Sequence, residues 1–290
     1  MKRFFLTIFS VFLIFVFFYY VWKFSISDVS YKYIFELIEL GKYDDALKYI
    51  DIKLKDHSDN GFLYYKKAEV LFLKGEYDLS EKYLDKSIEL GFPLTSSYNL
   101  KAVICEKRKN YDCQKSFSRK SIELDPTDYE GYFILAKGYF NTGDFEKSYE
   151  NFKIAYEIER DENILLYISD SLTGMKKYRD AIKILYDLNK KYPDNPEILY
   201  RLYTCYKRIN YYNNALFLLT KLHSINKDSF YIKERAELFY LMGDYISAFI
   251  EFKKYLSEVK KPLQNDLLFY KTLSSKIPTD ISKKRLEVKK

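Results

Sequence analysis

One pattern limits what this chain can become: a turn position that returns about every 34 residues. Gly41, Gly75, Lys109, Gly143, Lys176, Asn210 and Gly243 stand 34, 34, 34, 33, 34 and 33 residues apart. Two residues after each comes an aromatic ring, in turn Tyr43, Tyr77, Tyr111, Phe145, Tyr178, Tyr212 and Tyr245. Three further on stand Ala46, Ser80, Gln114, Ser148, Ala181, Ala215 and Ala248, all small except Gln114. A ring next to a small residue is what two closely approaching helix backbones require: the ring fills the gap and the small residue admits it. Self-similarity at a fixed period means one supersecondary unit used many times over.

The clearest copy runs from Gly131 to Ile158. Tyr132, Leu135, Ala136 and Tyr139 fall on one face of a first helix. Phe145, Ser148, Phe152 and Ala155 fall on one face of a second, and Gly143 breaks the chain between them. Pro126 and Pro193 stand where a proline stops the second helix of a unit. These residue types at these spacings resemble the tetratricopeptide repeat. The small position of the first helix reads Ile34, Ala68, Ala102, Ala136, Ser169, Tyr203 and Ala236. Looser packing is therefore expected in the first and sixth copies.

The expected fold class is all-α: a right-handed superhelical solenoid of about seven such repeats, preceded by one transmembrane helix. The seven units are expected at 27–60, 61–94, 95–128, 129–161, 162–195, 196–228 and 229–262. A capping helix is expected over 263–278, with Leu267, Leu268, Tyr270, Leu273 and Ile277 covering the exposed end of the stack, and a basic tail over 279–290. One hairpin cannot bury its own apolar face, so units stack and share a continuous core. Nine glycines and six prolines against 31 Tyr and 23 Phe fit helix packing better than a many-stranded β fold.

Residues 1–23 are of another kind. Lys2 and Arg3 precede a run from Phe4 to Trp22 that is nearly all apolar. As a helix it would extend roughly 28 Å, about one hydrocarbon core. Tyr19, Tyr20 and Trp22 gather at its far end, where amphipathic rings favour the membrane interface. The expectation is a retained signal-anchor held in the membrane through residues 4–22. The amino terminus would be cytoplasmic and the repeats outside the cytoplasm, in a bacterial inner membrane and periplasm. Cleavage near Ser27, releasing an exported soluble chain, is the alternative.

Chemistry is sparse. The net charge of +7 comes from charges of both signs interspersed, which does not argue for nucleic acid. His57 and His223 have no second ligand at metal spacing, and there is no phosphate loop or nucleophile elbow. No enzyme activity, cofactor, metal or small-molecule substrate is expected. Cys105 and Cys113 lie on one hairpin, and a bridge is conceivable in an oxidising compartment. Because residue 113 should point beside the helix interface, two free thiols are favoured there, with Cys205 as a third.

The resemblance implies a binding scaffold that takes peptide or helical segments of other proteins in a concave groove lined by the first helix of each repeat. Counted from the repeat starts, the fifth and twelfth positions line that groove. Tyr65 with Phe72, and Phe133 with Phe140, supply pairs of rings, joined by Phe62, Asn99 and Tyr200. Lys137, Asn141, Lys207 and Arg208 complete the expected site as its polar and basic part. An apolar partner segment with acidic flanks would suit it; the alternative is that these rings pack between neighbouring helices and line no groove. A role in cell-envelope assembly, secretion or complex formation is expected, the alternatives being an organelle-surface receptor and a non-catalytic subunit of an envelope enzyme complex.

Overall fold

The computed structural model describes residues 31–91 and 94–277, and over them the protein is all-α, with no strand among the described residues. Fifteen helices follow one another among the described residues. The first, α1, covers 31–39. It is followed by α2 (Tyr43–Asp56), α3 (Gly61–Leu73), α4 (Tyr77–Glu89), α5 (Leu94–Lys107), α6 (Tyr111–Leu124), α7 (Tyr129–Asn141) and α8 (Phe145–Ile158). Then come α9 (Glu162–Gly174), α10 (Tyr178–Lys191), α11 (Pro196–Arg208), α12 (Tyr212–Asn226), α13 (Ser229–Leu241), α14 (Tyr245–Glu258) and α15 (Gln264–Lys276). Odd-numbered helices from α1 to α13 are the first members of successive hairpins and are called A-helices below; their partners are B-helices.

All seven turn positions have left-handed backbone: φ is 68° at Gly41, 82° at Gly75, 58° at Lys109, 80° at Gly143, 60° at Lys176, 62° at Asn210 and 80° at Gly243. Each closes its A-helix with the same pair of hydrogen bonds. In the second hairpin the Gly75 N–H donates to the Phe72 carbonyl and the Glu76 N–H to the Leu71 carbonyl, both at 2.9 Å. This double bond satisfies carbonyls that the helix end would otherwise leave open. Glycine takes the left-handed conformation freely, whereas Lys109 and Lys176 hold it at a cost of about 1 kcal/mol or more each. Starts are marked as plainly. Asn60, Asp161, Asn195 and Asp228 accept backbone N–H groups at the N-termini of α3, α9, α11 and α13.

The chain divides into two compact units, Met1–Gly138 and Tyr139–Lys290. In the first, Ile34, Leu37, Ala46, Ile50, Leu63 and Val70 form one buried cluster, and Ala68, Leu84 and Ile104 another. In the second, Ile232, Ala236, Ala248, Phe249, Phe252 and Tyr255 are joined by Leu273 of α15 and by Ile277 just past its end. The α15 residues divide differently from the sequence expectation: Leu273 and Ile277 are buried, but Leu267 and Leu268 are 48% and 64% exposed. Residues six apart on a helix point in different directions, and only one face of α15 meets α14.

The small row following the rings is buried throughout, Gln114 included. Gln114 fits because Gly138 stands opposite, where an added Cβ would lie 2.9 Å from Lys115 and 3.4 Å from Gln114. Its amide donates to the Ile134 carbonyl at 2.9 Å. In the second unit Gly174 admits the Phe145 ring, which a Cβ there would meet at 2.4 Å. Ile34 and Tyr203, the large residues at the small position, are both buried, at 1% and 2% exposed. The Tyr203 hydroxyl reaches out of the interface to donate to Glu234.

Two expectations need correction. Cys105 and Cys113 are joined by a disulfide, not left as thiols, their Cα atoms 5.7 Å apart across the turn from α5 to α6 and within bridging range. The single-pass membrane placement is overturned as well: among the described residues no helix is long and apolar enough to cross a membrane. Helices α2 to α15 are 13 to 15 residues long. At about 20 Å each, they fall short of a hydrocarbon core of about 30 Å. Residues 4–22, which carried the membrane expectation, lie outside the described residues, as do Ser27 and the tail over 279–290.

Candidate functional site

Each unit presents its A-helices as a row of large side chains that the fold covers only in part. In the first unit, Phe62, Tyr65 and Phe72 of α3 and Phe133 of α7 are half-buried. Phe62 stands edge-on to Tyr31 at 4.9 Å, and Phe72 leans on Tyr77 at 5.6 Å. Lys66, which sequence pattern did not single out, is 6% exposed and sits 4.0 Å above the Phe35 ring, with Phe62 and Tyr65 at 5.5 and 5.4 Å. Its ammonium is balanced by Glu69 at 2.7 Å. A cation held over ring faces is electrostatically favoured by the ring quadrupole.

Asn99 lies deeper than its neighbours in the row, at 4% exposed. Its Nδ2 donates to Asp128 at 2.7 Å and to Glu130 at 3.4 Å, both at the start of α7. Asp128 also accepts from Ser121 Oγ at 2.9 Å. Glu130 is exposed as a residue, but desolvation of its carboxyl by the surrounding side chains first, and then the charge of Asp128, hold that group above its ordinary range. Burial, followed by Glu69 and Glu130, likewise pushes the Tyr65 phenol up. Asp128 and Glu130 escaped the sequence reading because they lie outside the fifth and twelfth positions. The available signal was their place in the first turn of the following A-helix.

In the second unit, Phe140 packs edge-on against Phe145 at 5.4 Å, while Asn141 and Arg208 are exposed. Tyr200 is 42% exposed and lies 6.4 Å from Phe230. Lys207 is engaged within the fold: it pairs with Glu234 at 2.7 Å and Glu237 at 3.4 Å. Lys137 of the first unit is engaged in the same way, by Glu106 at 2.8 Å. The positive charge that lysine spacing places along the row is therefore largely balanced inside the protein.

A second recess in this unit is lined by Leu166, Leu188 and Ile198 with Arg160, Tyr192 and Asn195, and has a volume of about 420 Å³. It opens where α9 and α11 begin. Among the described residues no group of three or more His, Cys, Asp or Glu side chains is arranged to hold a metal ion.

A family model described as tetratricopeptide repeat matches residues 63–90 and 95–128. Solved structures extend the likeness over most of the chain. The C-terminal part of a TPR repeat-containing protein from Cytophaga hutchinsonii covers 81% of this chain and 97% of its own, with a TM-score of 0.64 at 14% identity. A tetratricopeptide repeat protein from Parabacteroides merdae covers 85% and 98%, with a TM-score of 0.60 at 10% identity. A chain in the APC/C hetero-tetramer Cut9–Hcn1 covers 66% and 38%, with a TM-score of 0.56 at 14% identity. No curated protein matches the sequence. At these identities the likeness is one of fold.

Proposed function

Taking the tetratricopeptide fold as premise, we propose that the chain is a protein-interaction scaffold whose A-helix faces receive peptide or helical segments of partner proteins. The observation that carries this reading is the partly open large side chains of the A-helices, Phe62, Tyr65, Phe72 and Phe133 in the first unit and Tyr200 in the second. Aromatic side chains left partly solvated and fixed in place by their neighbours are the commonest anchors of protein interfaces. One fold relative is itself a chain of a hetero-tetramer, which accords with the reading.

A photoreactive benzoylphenylalanine at Tyr200, 42% exposed on A-helix α11, should give a discrete crosslinked product in an extract of the native cells. The same replacement at Phe217, 70% exposed on B-helix α12, should not. Equal labelling from both positions, or none from Tyr200 and from Phe72, rejects the A-helix face as the binding surface.

A further inference from the structure

We propose that the Cys105–Cys113 bond makes the third hairpin a redox-sensitive joint: the bond holds α5 to α6 where the other hairpins rely on bulk, and a dithiol opens it in the folded protein and loosens that hairpin. The inference stands on the fold and needs nothing from the scaffold reading.

Packing is the first ground. Four places before the left-handed turn, six hairpins carry a large apolar or aromatic residue: Leu37, Leu71, Tyr139, Leu172, Tyr206 and Phe239. All are buried or half-buried. In the third hairpin that place holds Cys105, which is 1% exposed and has a smaller side chain than any of them. Its bond to Cys113, eight residues on, ties the end of α5 to the first turn of α6. The same hairpin carries Gln114 where the others have alanine or serine. A covalent tie thus stands where the other hairpins have a filled contact.

Access is the second ground. Cys105 is enclosed, but Cys113 is half-buried, in a row where Asp45, Lys147 and Asp180 of other hairpins are exposed. Cys113 Sγ is therefore the sulfur that an external thiolate reaches. Attack there forms a mixed disulfide with Cys113 and breaks the bond to Cys105, which leaves as a thiolate and takes up a proton. The second thiol of the reductant, losing its proton, then attacks the reductant's own sulfur in that mixed disulfide and releases Cys113, which is protonated in turn. Two electrons and two protons pass from the dithiol, which ends as a disulfide, to the protein, which ends with two thiols.

Opening the bond does not undo the turn. The Asn110 N–H donates to the Cys105 carbonyl at 2.9 Å and the Cys113 N–H to Asn110 Oδ1 at 3.2 Å, and neither contact involves a sulfur. What is lost is the restraint that the bond places on the chain, and the thiol left at Cys105 fills less space than its counterparts do. Because a repeat stack is held by contacts between neighbours, a loosened third hairpin also weakens the support of the hairpins beside it.

The test takes the full chain, purified without reductant, and adds dithiothreitol in the absence of denaturant. After an acid quench, unfolding and alkylation, intact mass counts the thiols: one before reduction, from Cys205, and three after it. The reduced protein should melt about 5 °C below the oxidised one. Cys105→Leu with Cys113→Ser, which gives the third hairpin the leucine of the first, second and fifth, should ignore dithiothreitol and melt above the reduced wild type. Reduction only in denaturant overturns the joint, as does an unchanged Tm, a count of three thiols before reductant is added, or a leucine variant that melts no higher than the reduced wild type. If the leucine variant fails to fold, Cys113→Ser alone decides: it should melt with the reduced wild type, and a Tm equal to that of the oxidised protein rejects the proposal.

Discussion

Asn99 and Lys233 occupy the same place in their respective hairpins, yet they meet the following helix in opposite ways. Lys233 closes an ion pair with Asp266, which is 1% exposed and also accepts from the Tyr255 hydroxyl at 2.9 Å and the Leu263 N–H at 3.0 Å. Asn99 offers a neutral amide to Asp128 and Glu130, the second of which is exposed. A third version is neutral on both sides, with Asn60 donating to the Tyr31 hydroxyl at 2.8 Å. The contact between position five and the next helix start is kept while its chemistry changes. A carboxylate taken fully out of water needs its counter-charge within the fold, whereas one at a half-open edge does not. The first carboxylate is held by an ion pair inside the fold, and the second pair by neutral donors alone.

The largest effect should come from removing the buried carboxylate. Asp266→Asn leaves Lys233 without its partner and disturbs two further hydrogen bonds, and should cost about 3 kcal/mol in chemical denaturation. A loss below about 1 kcal/mol, the range of surface pairs, would erase the distinction between the two sites.

Lys233→Asn would turn the second site into a copy of the first. Because Lys233 is partly exposed, the expected loss is nearer 2 kcal/mol. Chemical denaturation of this variant beside Asp266→Asn checks the order of the two losses. A loss larger than that of Asp266→Asn would mean that the stranded carboxylate, not the stranded ammonium, is the costlier half of the pair.

The smallest effect is on pH dependence. Burial would raise the Asp266 carboxyl, but hydrogen bonds from Lys233, the Leu263 N–H and Tyr255 outweigh it and hold the group below its ordinary value. A carboxylate depressed in the folded state contributes stability that is complete above the unfolded-state value and lost as pH falls through the folded one. Wild type should therefore lose stability relative to Asp266→Asn as pH falls from about 5 to below the ordinary aspartate range. Parallel acid limbs in the two proteins would count against the pair.

Much of this molecule is readable without coordinates, and the reason is locality. Gly41, Gly75, Gly143 and Gly243 mark left-handed turns that the chain needs within a few residues of each helix end. Lys109, Lys176 and Asn210 could be found only because the period places them, since their own chemistry does not ask for positive φ. The buried small row and the rings two residues after each turn follow from the same short-range geometry. Gln114 looked like a defect in that row because its compensation, Gly138, is 24 positions away and on the next helix.

The sequence by itself determined the all-α class, the hairpin period and the places where the chain turns, because hydrogen bonds and periodicity within one hairpin suffice to specify them. Tertiary structure alone decided which charges are already paired, that Cys105 and Cys113 are bonded, and which face of α15 is inside. Lys137 with Glu106, Lys207 with Glu234, and Lys233 with Asp266 are partners 31, 27 and 33 residues apart, one hairpin removed. A repeat fixes the direction of a side chain, but only stacking on its neighbour shows what that side chain meets. For that reason the A-helix row was visible in the sequence, while the balance of charge along it was not.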